Sequence, residues 1–260
     1  MLDIATIDKA GKALYACLRE KRTMPPLSVQ FPDLTIDDAY KISREFLSHR
    51  TTSGEKIVGK KIGVTSPAVQ EMLGVYQPDF GFLTDAMWQL DGVVDTTTMI
   101  APRAEAEIAF RLKDSLSGPG VTPEDVLRAT ESVIACFEIV DSRIENWEIK
   151  ITDTIADNAS CGVFVLSEEE ISPTRLDLAG LKVVVEKNGE FLSEGLGSAV
   201  QGAPENAVAW LANTLGEYGI PLHAGEIVLS GSLVPLAPAS AGDHFTMSID
   251  GLGSAEVRFR

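Results

Sequence analysis

The spacing of apolar residues predicts helices at the start of the chain and strands in much of the remainder. Between residues 6 and 21, apolar side chains recur every three or four positions, which indicates an amphipathic helix. A second stripe of this kind follows Thr35, whose hydroxyl can cap a helix, and Asp38 lies three residues further on as a capping-box partner. We interpret residues 1–50 as a helical cap region on a β-rich body.

Three stretches between residues 56 and 140 have the length and pattern of strands. Residues 56–66 form one that contains two glycines, and residues 102–110 alternate between charged and small apolar side chains. Residues 133–140 are almost continuously apolar. Between these strands, Thr122 has the features of a helix N-cap because a proline and two acidic residues follow it.

The last third of the chain is predicted to be mostly β-structure. Asn188-Gly189 separates two strand patterns and is a strong signal for a two-residue hairpin turn, and residues 204–215 have helical spacing. The strands predicted here are residues 181–187, 190–192, 226–230, 245–249 and 255–259. We find no repeat or linker, so residues 1–260 are predicted to form a single α+β domain with a large, mostly antiparallel sheet system.

Composition and charge exclude several classes of function. The chain has 260 residues with a net charge of −16, and a phosphate backbone or an anionic membrane would repel it. Its apolar runs are too short to span a bilayer, and the N-terminus lacks the pattern of a signal peptide. The three cysteines match neither a zinc site nor a disulfide framework. These features predict a cytoplasmic protein.

Three glutamates are the strongest candidates for chemistry. In a strand, Glu105 and Glu107 lie on one face, where two anions repel each other unless a proton or a cation intervenes. A hard divalent cation bound by oxygen ligands would remove this repulsion. Glu138 lies within an apolar run, where a carboxylate is costly to bury unless it has a partner. The alternative is that Glu105 and Glu107 lie on the solvated face of an edge strand.

A lysine in the glycine-containing strand is the next candidate. Alternation places Lys61 on the same face as Gly59 and Gly63, where the missing side chains leave room for a ligand. Lys60 lies on the opposite face. The alternative is that both lysines lie on the surface, which is where lysines usually occur.

Two further polar segments carry weaker signals. Asp79 falls within residues 76–81, which we interpret as a turn, and aspartate is common in turns for local reasons. A short helix is predicted before it, between Ser66 and Gly74. Residues 153–162 are rich in short hydrogen-bonding side chains, which fits either turns and caps or the rim of a site.

Other catalytic arrangements find no support in the sequence. His49, His223 and His244 are not spaced as metal ligands, so a zinc enzyme is disfavoured. The chain also contains no nucleophile-elbow motif, phosphate loop or dinucleotide-binding fingerprint.

The chain resembles the 2-oxopent-4-enoate hydratases of bacterial aromatic catabolism, which belong to the fumarylacetoacetase C-terminal-like superfamily. The resemblance covers nearly the whole chain and is most specific in five stretches, residues 59–66, 77–81, 102–107, 141–143 and 153–160. One departure is Ala104, where several relatives have isoleucine, and it concerns the face opposite the glutamates. The resemblance implies the superfamily fold of mixed, mostly antiparallel sheets.

The resemblance also implies a site. It predicts a Mg²⁺ or Mn²⁺ ion held by Glu105, Glu107 and Glu138, with Lys61 and Asp79 as catalytic residues. Asp157 and Ser160, in the matched stretch 153–160, are predicted to contact the substrate. A homo-oligomer is expected, and the family can associate with 4-oxalocrotonate decarboxylase.

The reaction implied is the metal-dependent hydration of 2-hydroxypenta-2,4-dienoate to 4-hydroxy-2-oxopentanoate in meta-cleavage catabolism. The alternatives are 4-oxalocrotonate decarboxylase and a 2-hydroxyhexa-2,4-dienoate hydratase of steroid catabolism. Decarboxylase relatives usually lack an aspartate at the position of Asp79, which favours hydration. A C–C hydrolase is disfavoured because no histidine lies in a matched motif, and a silent partner subunit would need neither Lys61 nor Asp79.

Overall fold

Two β-sheets and an N-terminal layer of helices make up the described part of the chain, residues 1–66, 70–71 and 77–260 of a computed structural model. The helix predicted between Ser66 and Gly74 falls mostly outside these residues. The predicted α+β architecture, with mixed and mostly antiparallel sheets, is confirmed. The division into one domain stays a prediction.

The N-terminal layer contains three helices, α1 (Ile4–Glu20), α2 (Leu27–Gln30) and α3 (Ile36–Thr52). Thr35 caps α3 as predicted, because its hydroxyl accepts a hydrogen bond from the Asp38 backbone N–H. The other half of the predicted capping box is wrong. The buried Asp38 carboxylate accepts from the Leu2 backbone N–H at 3.0 Å, so it fastens the N-terminus to α3.

The larger sheet has seven strands in the order β2-β1-β9-β4-β5-β6, with β10 beside β4. Neighbouring strands are antiparallel except for β1 and β9. The turn predicted over residues 76–81 extends too far, because residues 79–81 belong to a strand that begins at Asp79. The strands are β1 (Ile57–Gly63), β2 (Asp79–Thr84), β4 (Arg103–Leu112), β5 (Thr130–Val140), β6 (Cys161–Leu166), β9 (Ile227–Ser232) and β10 (Ala237–Pro238).

The smaller sheet has the order β3-β12-β11-β7-β8, and only the β12–β3 pair is parallel. The predicted hairpin is confirmed, since Asn188 and Gly189 both have positive φ, +58° and +80°, as a type I′ turn requires. The strands are β3 (Val93–Val94), β7 (Lys182–Lys187), β8 (Glu190–Leu196), β11 (His244–Ile249) and β12 (Gly253–Phe259).

Three more α-helices lie in the described residues, and only the last of them connects the two sheets. Helix α4 (Pro123–Ala129) lies between β4 and β5, α5 (Ile151–Ala156) between β5 and β6, and α6 (Pro204–Glu217) between β8 and β9. Thr122 caps α4 as predicted and forms a reciprocal capping box with Asp125. The main hydrophobic core runs from the N-terminal helices to β12 and includes Ala104, Ala106 and Ile108 from β4. No helix in the described part of the chain is long and apolar enough to cross a bilayer.

Candidate active site

Three carboxylates converge where β4 pairs with β5. Glu105 lies directly opposite Glu138 in the register, and Glu107 is two residues along β4 on the same face. Each of the three offers an oxygen atom, and these atoms all lie within 4.8 Å of one another. The solvated-edge alternative is wrong, because β4 lies between β9 and β5, and Glu107 and Glu138 are only 1% and 0% exposed.

The electrostatics of this cluster are unfavourable without a cation. Burial, followed by the charge of Glu138, raises the pKa of Glu105 to about 7. Burial and the two neighbouring carboxylates raise the pKa of Glu107 well above its usual value. Glu107 Oε2 accepts from the Gly231 N–H, but Glu107 Oε1 and Glu138 Oε2 have no hydrogen-bond partner among the described residues. Buried oxygens without donors, on three clustered carboxylates, fit a hard divalent cation such as Mg²⁺.

The two lysines of β1 lie on opposite faces, as the alternation predicts, and both are buried. Lys61 Nζ lies 3.2 Å from Glu138 Oε1, whereas Lys60 Nζ bonds both carboxylate oxygens of Glu226. The surface-lysine alternative is therefore wrong. Burial lowers the pKa of Lys61, but the charges of Glu138, Glu105 and Asp79 outweigh it, and the pKa is raised overall. Burial lowers the pKa of Lys60.

Asp79 lies beside Lys61, although the sequence placed it in a turn. Its Oδ2 accepts a hydrogen bond from the Thr154 hydroxyl at 2.8 Å, and Oδ1 has no partner among the described residues. Burial raises the pKa of Asp79 in spite of the nearby Lys61 ammonium. A Cβ at Gly63 would lie 2.3 Å from Asp79 Oδ1, and one at Gly59 would lie 1.9 Å from the Ile227 carbonyl oxygen. Gly59 therefore makes room for β9, which corrects the prediction that it leaves space for a ligand, whereas Gly63 makes room for Asp79 and also lines the cavity beside Lys61.

A strained turn fixes the other partner of Lys61. Asn158, Ala159 and Ser160 have φ values of +54°, +52° and +53°, a left-handed conformation that costs roughly 1–2 kcal/mol per non-glycine residue. The Asn158 amide holds the turn against β2, because it bonds both the N–H and the C=O of Phe82. This arrangement places the Ala159 carbonyl oxygen 2.9 Å from Lys61 Nζ.

Asp157 and Ser160 have different surroundings. Both carboxylate oxygens of Asp157 accept hydrogen bonds from Arg143, at 2.5 Å from Nε and 2.9 Å from the backbone N–H. Arg143 is fully buried and also donates to the carbonyls of Cys161 and Asp157. Asp157 thus takes part in a buried ion pair and is not among the residues that line the cavity beside Lys61 and Asp79, whereas Ser160 lines that cavity. Substrate contact by either residue stays a prediction.

A cavity of about 250 Å³ opens beside these groups, and Glu105 is the one glutamate of the three that lines it. A second cavity, of about 350 Å³, shares Gly63, Val64, Glu105 and Leu236 with it. The sequence reasoning missed several lining residues, although Arg103 could have been found because it shares a face of β4 with Glu105. The lining residues of the first cavity include Lys61, Asp79, Arg103, Val140, Trp147, Ile149, Thr154, Ser160 and Leu236.

Residues 86–260 match the sequence model of the family described as fumarylacetoacetate (FAA) hydrolase C-terminal. The chain belongs to this family. The matched region contains the three glutamates. Lys61 and Asp79 lie before it, so this match does not bear on the roles predicted for them.

Two similar relatives are named as hydratases. The chain is 57% identical to 2-hydroxyhexa-2,4-dienoate hydratase of Comamonas testosteroni, over 100% of this chain and 99% of the relative. It is 55% identical to 2-hydroxypent-2,4-dienoate hydratase of Pseudomonas putida, over 84% of this chain and 100% of the relative.

The fold also matches a solved family member. The structure of 4-oxalocrotonate decarboxylase from Pseudomonas putida G7, complexed with magnesium and adipate, superposes with a TM-score of 0.97 at 37% identity. This comparison covers 100% of this chain and 99% of the decarboxylase. A family fold thus supports both hydratases and a decarboxylase, and the choice between them depends on residues at the site.

The raised pKa of Glu105 predicts an unusual pH dependence for the metal-free protein. Its carboxyl titrates near 7 when folded and near 4.5 when unfolded, so between these values the folded state binds more protons. The stability contributed by this group is present below pH 4.5 and is lost as the pH rises through 7. Mg²⁺ should restore it by binding the folded state alone.

Urea unfolding of EDTA-treated protein between pH 4.5 and 8 measures this effect. We expect Glu105→Gln to make the decline shallower, because Glu107 still contributes to it, and to remove most of the stabilisation by Mg²⁺, whereas the exposed Glu131→Gln on β5 should behave as wild type. The same pH slope in wild type and in Glu105→Gln would contradict the assignment.

Proposed function

We propose that this protein is a metal-dependent hydro-lyase that adds water to a 2-hydroxydienoate in the meta-cleavage catabolism of aromatic compounds. The substrate proposed first is 2-hydroxypenta-2,4-dienoate, and the product is 4-hydroxy-2-oxopentanoate. The observation that carries the proposal is the position of Asp79, a buried acid with one free oxygen, in the cavity that Glu105 and Lys61 also line. Relatives named as hydratases at 55% and 57% identity support it.

Glu105, Glu107 and Glu138 would hold the divalent cation, Mg²⁺ or Mn²⁺. When bound, such an ion supplies Lewis-acid stabilisation of negative charge on the oxygens of the substrate. Since only Glu105 lines the cavity, we place the carboxylate and enol oxygens of the substrate next to Glu105.

Lys61 is proposed to deliver a proton to C5 while the 2-hydroxyl group of the substrate loses its own proton, which gives the 2-oxo-3-enoate. Its ammonium is held by the Ala159 carbonyl and lies next to Glu138, so its position in the cavity wall is fixed. The raised pKa of Lys61 depends on three carboxylate charges. When a cation neutralises some of that charge, Lys61 holds its proton less strongly and becomes a better general acid.

Asp79 is proposed to orient and deprotonate the water that attacks C4. Thr154 holds Oδ2, which leaves Oδ1 free to accept a hydrogen bond from water. Burial raises the pKa of this carboxyl, and a base is most effective when its pKa lies close to the working pH. Decarboxylation needs no such water, so Asp79 favours hydration.

Two further expectations concern selectivity and assembly. By their names, the two hydratase relatives act on a pentadienoate and a hexadienoate. Because this chain is about equally identical in sequence to both relatives, both compounds are candidate substrates. The homo-oligomer and the association with 4-oxalocrotonate decarboxylase stay predictions.

The wild-type protein with Mg²⁺ should consume 2-hydroxypenta-2,4-dienoate and accumulate 4-hydroxy-2-oxopentanoate. Loss of the dienol absorbance above the rate of spontaneous ketonisation, with product analysis by NMR, measures this. 2-Hydroxyhexa-2,4-dienoate should be tested in parallel to establish which substrate chain length the protein prefers. Release of CO₂ from 2-oxohex-3-enedioate without hydration of either dienol would replace this proposal with the decarboxylase alternative.

Replacement of each lysine by methionine should affect a different property, kcat for Lys61 and the free energy of unfolding for Lys60. Lys61→Met should lower kcat by about 10²–10⁴, the usual contribution of a general acid or base. Lys60→Met leaves Glu226 without its cation and should lower the free energy of unfolding by about 3–5 kcal/mol, with turnover per folded molecule close to wild type. Equal and small changes in kcat for both variants would show that neither lysine is catalytic.

Asp79→Asn should separate the two halves of the reaction. The amide keeps a partner for Thr154 but cannot accept a proton from water, so hydration should fall by about 10²–10⁴. Solvent deuterium should still enter C5, as NMR can detect. Asp85→Asn, an exposed aspartate just after β2, is the matched control. Hydration by Asp79→Asn at the wild-type rate would refute the role assigned to Asp79.

A further inference from the structure

Arg103 is a cavity residue to which neither the sequence nor the proposed mechanism assigns a role. It begins β4, two residues before Glu105 on the same face, and lines the cavity together with Lys61 and Asp79. Its guanidinium carbon lies 4.4 Å from the centroid of the Trp147 ring. A guanidinium placed over an aromatic ring keeps its N–H donors in its own plane, where they are free to bond other groups.

The Trp147 ring is held in a costly backbone conformation. Trp147 has a φ of +58°, a left-handed value that is unusual for a bulky residue. Its indole N–H donates to the Ala101 carbonyl at 3.2 Å, and the ring lies in the cavity wall. The strain and the hydrogen bond together fix a flat surface for Arg103.

Arg103 has no carboxylate partner among the described residues, although it is only partly exposed. Other poorly exposed arginines do have one, since Arg50 pairs with Glu55 and Arg143 pairs with Asp157. On the same strand, Arg111 pairs with Glu170. A guanidinium that lines a cavity without an anion has donors available for an anionic ligand.

The charge of the site indicates why such a donor is needed. Asp79 and the three glutamates, with Lys61 as the one cation among them, leave a net charge of −3 when all are ionised. A divalent ion reduces this to −1, and Arg103 brings it to zero. The whole chain carries a net charge of −16, which disfavours the approach of an anionic substrate unless the site itself supplies positive charge.

We propose that Arg103, stacked on Trp147, binds the carboxylate of a 2-oxo or 2-hydroxy acid in this cavity. The inference rests on the proposed function only for the choice of acid. The carboxylate would accept hydrogen bonds from the guanidinium edge, so that Arg103 sets the affinity for the acid, while Lys61 and Asp79 carry the proton transfers.

The test uses pyruvate as the probe, because it has the carboxylate and keto oxygens without a tail. Isothermal titration with Mg²⁺-loaded protein measures its affinity, and the fluorescence of Trp147, one of three tryptophans, reports on the site. Arg103→Met should weaken pyruvate binding about ten- to hundredfold, as expected for a lost hydrogen bond between charged groups. Arg103→Lys, which keeps the charge without the planar fork, should give an intermediate loss, and Arg111→Met should equal wild type.

A separate titration with Mg²⁺ alone distinguishes binding of the acid from mere support of the fold. Removal of a positive charge near the three carboxylates should leave Mg²⁺ affinity unchanged or increase it. Wild-type pyruvate affinity in Arg103→Met, or a parallel loss of Mg²⁺ and pyruvate affinity in both Arg103 variants, would overturn the proposal. Failure of the proposed function is a different result, in which wild type binds pyruvate but hydrates no dienol.

Discussion

The central constraint in this structure is the mutual repulsion of three carboxylates clustered on β4 and β5, two of them fully buried and the third, Glu105, half-buried in a cavity wall. Isolated charges of one sign are too costly to bury together, so each must find a cation, a donor or a proton. The raised pKa values of Glu105 and Glu107 express this cost directly. A protein that keeps such a cluster at the centre of its sheet gains its function from whatever neutralises it.

The surrounding structure holds one positive group, Lys61, at a fixed position beside the three carboxylates. Lys61 reaches Glu138 from β1, and the left-handed turn at residues 158–160 holds its ammonium by a carbonyl oxygen. The same turn bonds to β2 through the Asn158 side chain and adjoins the buried Arg143–Asp157 pair. Strain in that turn is a sign of a site whose geometry is held by the packing around it.

The proposed activity follows from a division of the cavity into two parts. Glu105 lines the part suited to a cation, and Asp79 provides an acid with a free oxygen for water. The family fold is shared with a decarboxylase at a TM-score of 0.97, so the fold does not choose the reaction. We infer that the groups placed around the three glutamates make that choice.

The sequence alone determined what depends on local pattern. It predicted the capped helices, the Asn188-Gly189 hairpin and the shared face of Glu105 and Glu107, because periodicity and turn chemistry act between residues close in the chain. The resemblance added the roles of Lys61 and Asp79, which spacing alone left open.

Only the tertiary structure decided which groups meet. Lys61 bonds a carbonyl 98 residues away, and Asp79 bonds a hydroxyl 75 residues away. It also showed that Gly63 makes room for Asp79, that Asp157 pairs with Arg143, and that Arg103 lines the cavity without a carboxylate partner. These contacts depend on strand order and on close approach between distant segments, which no local pattern of residues encodes.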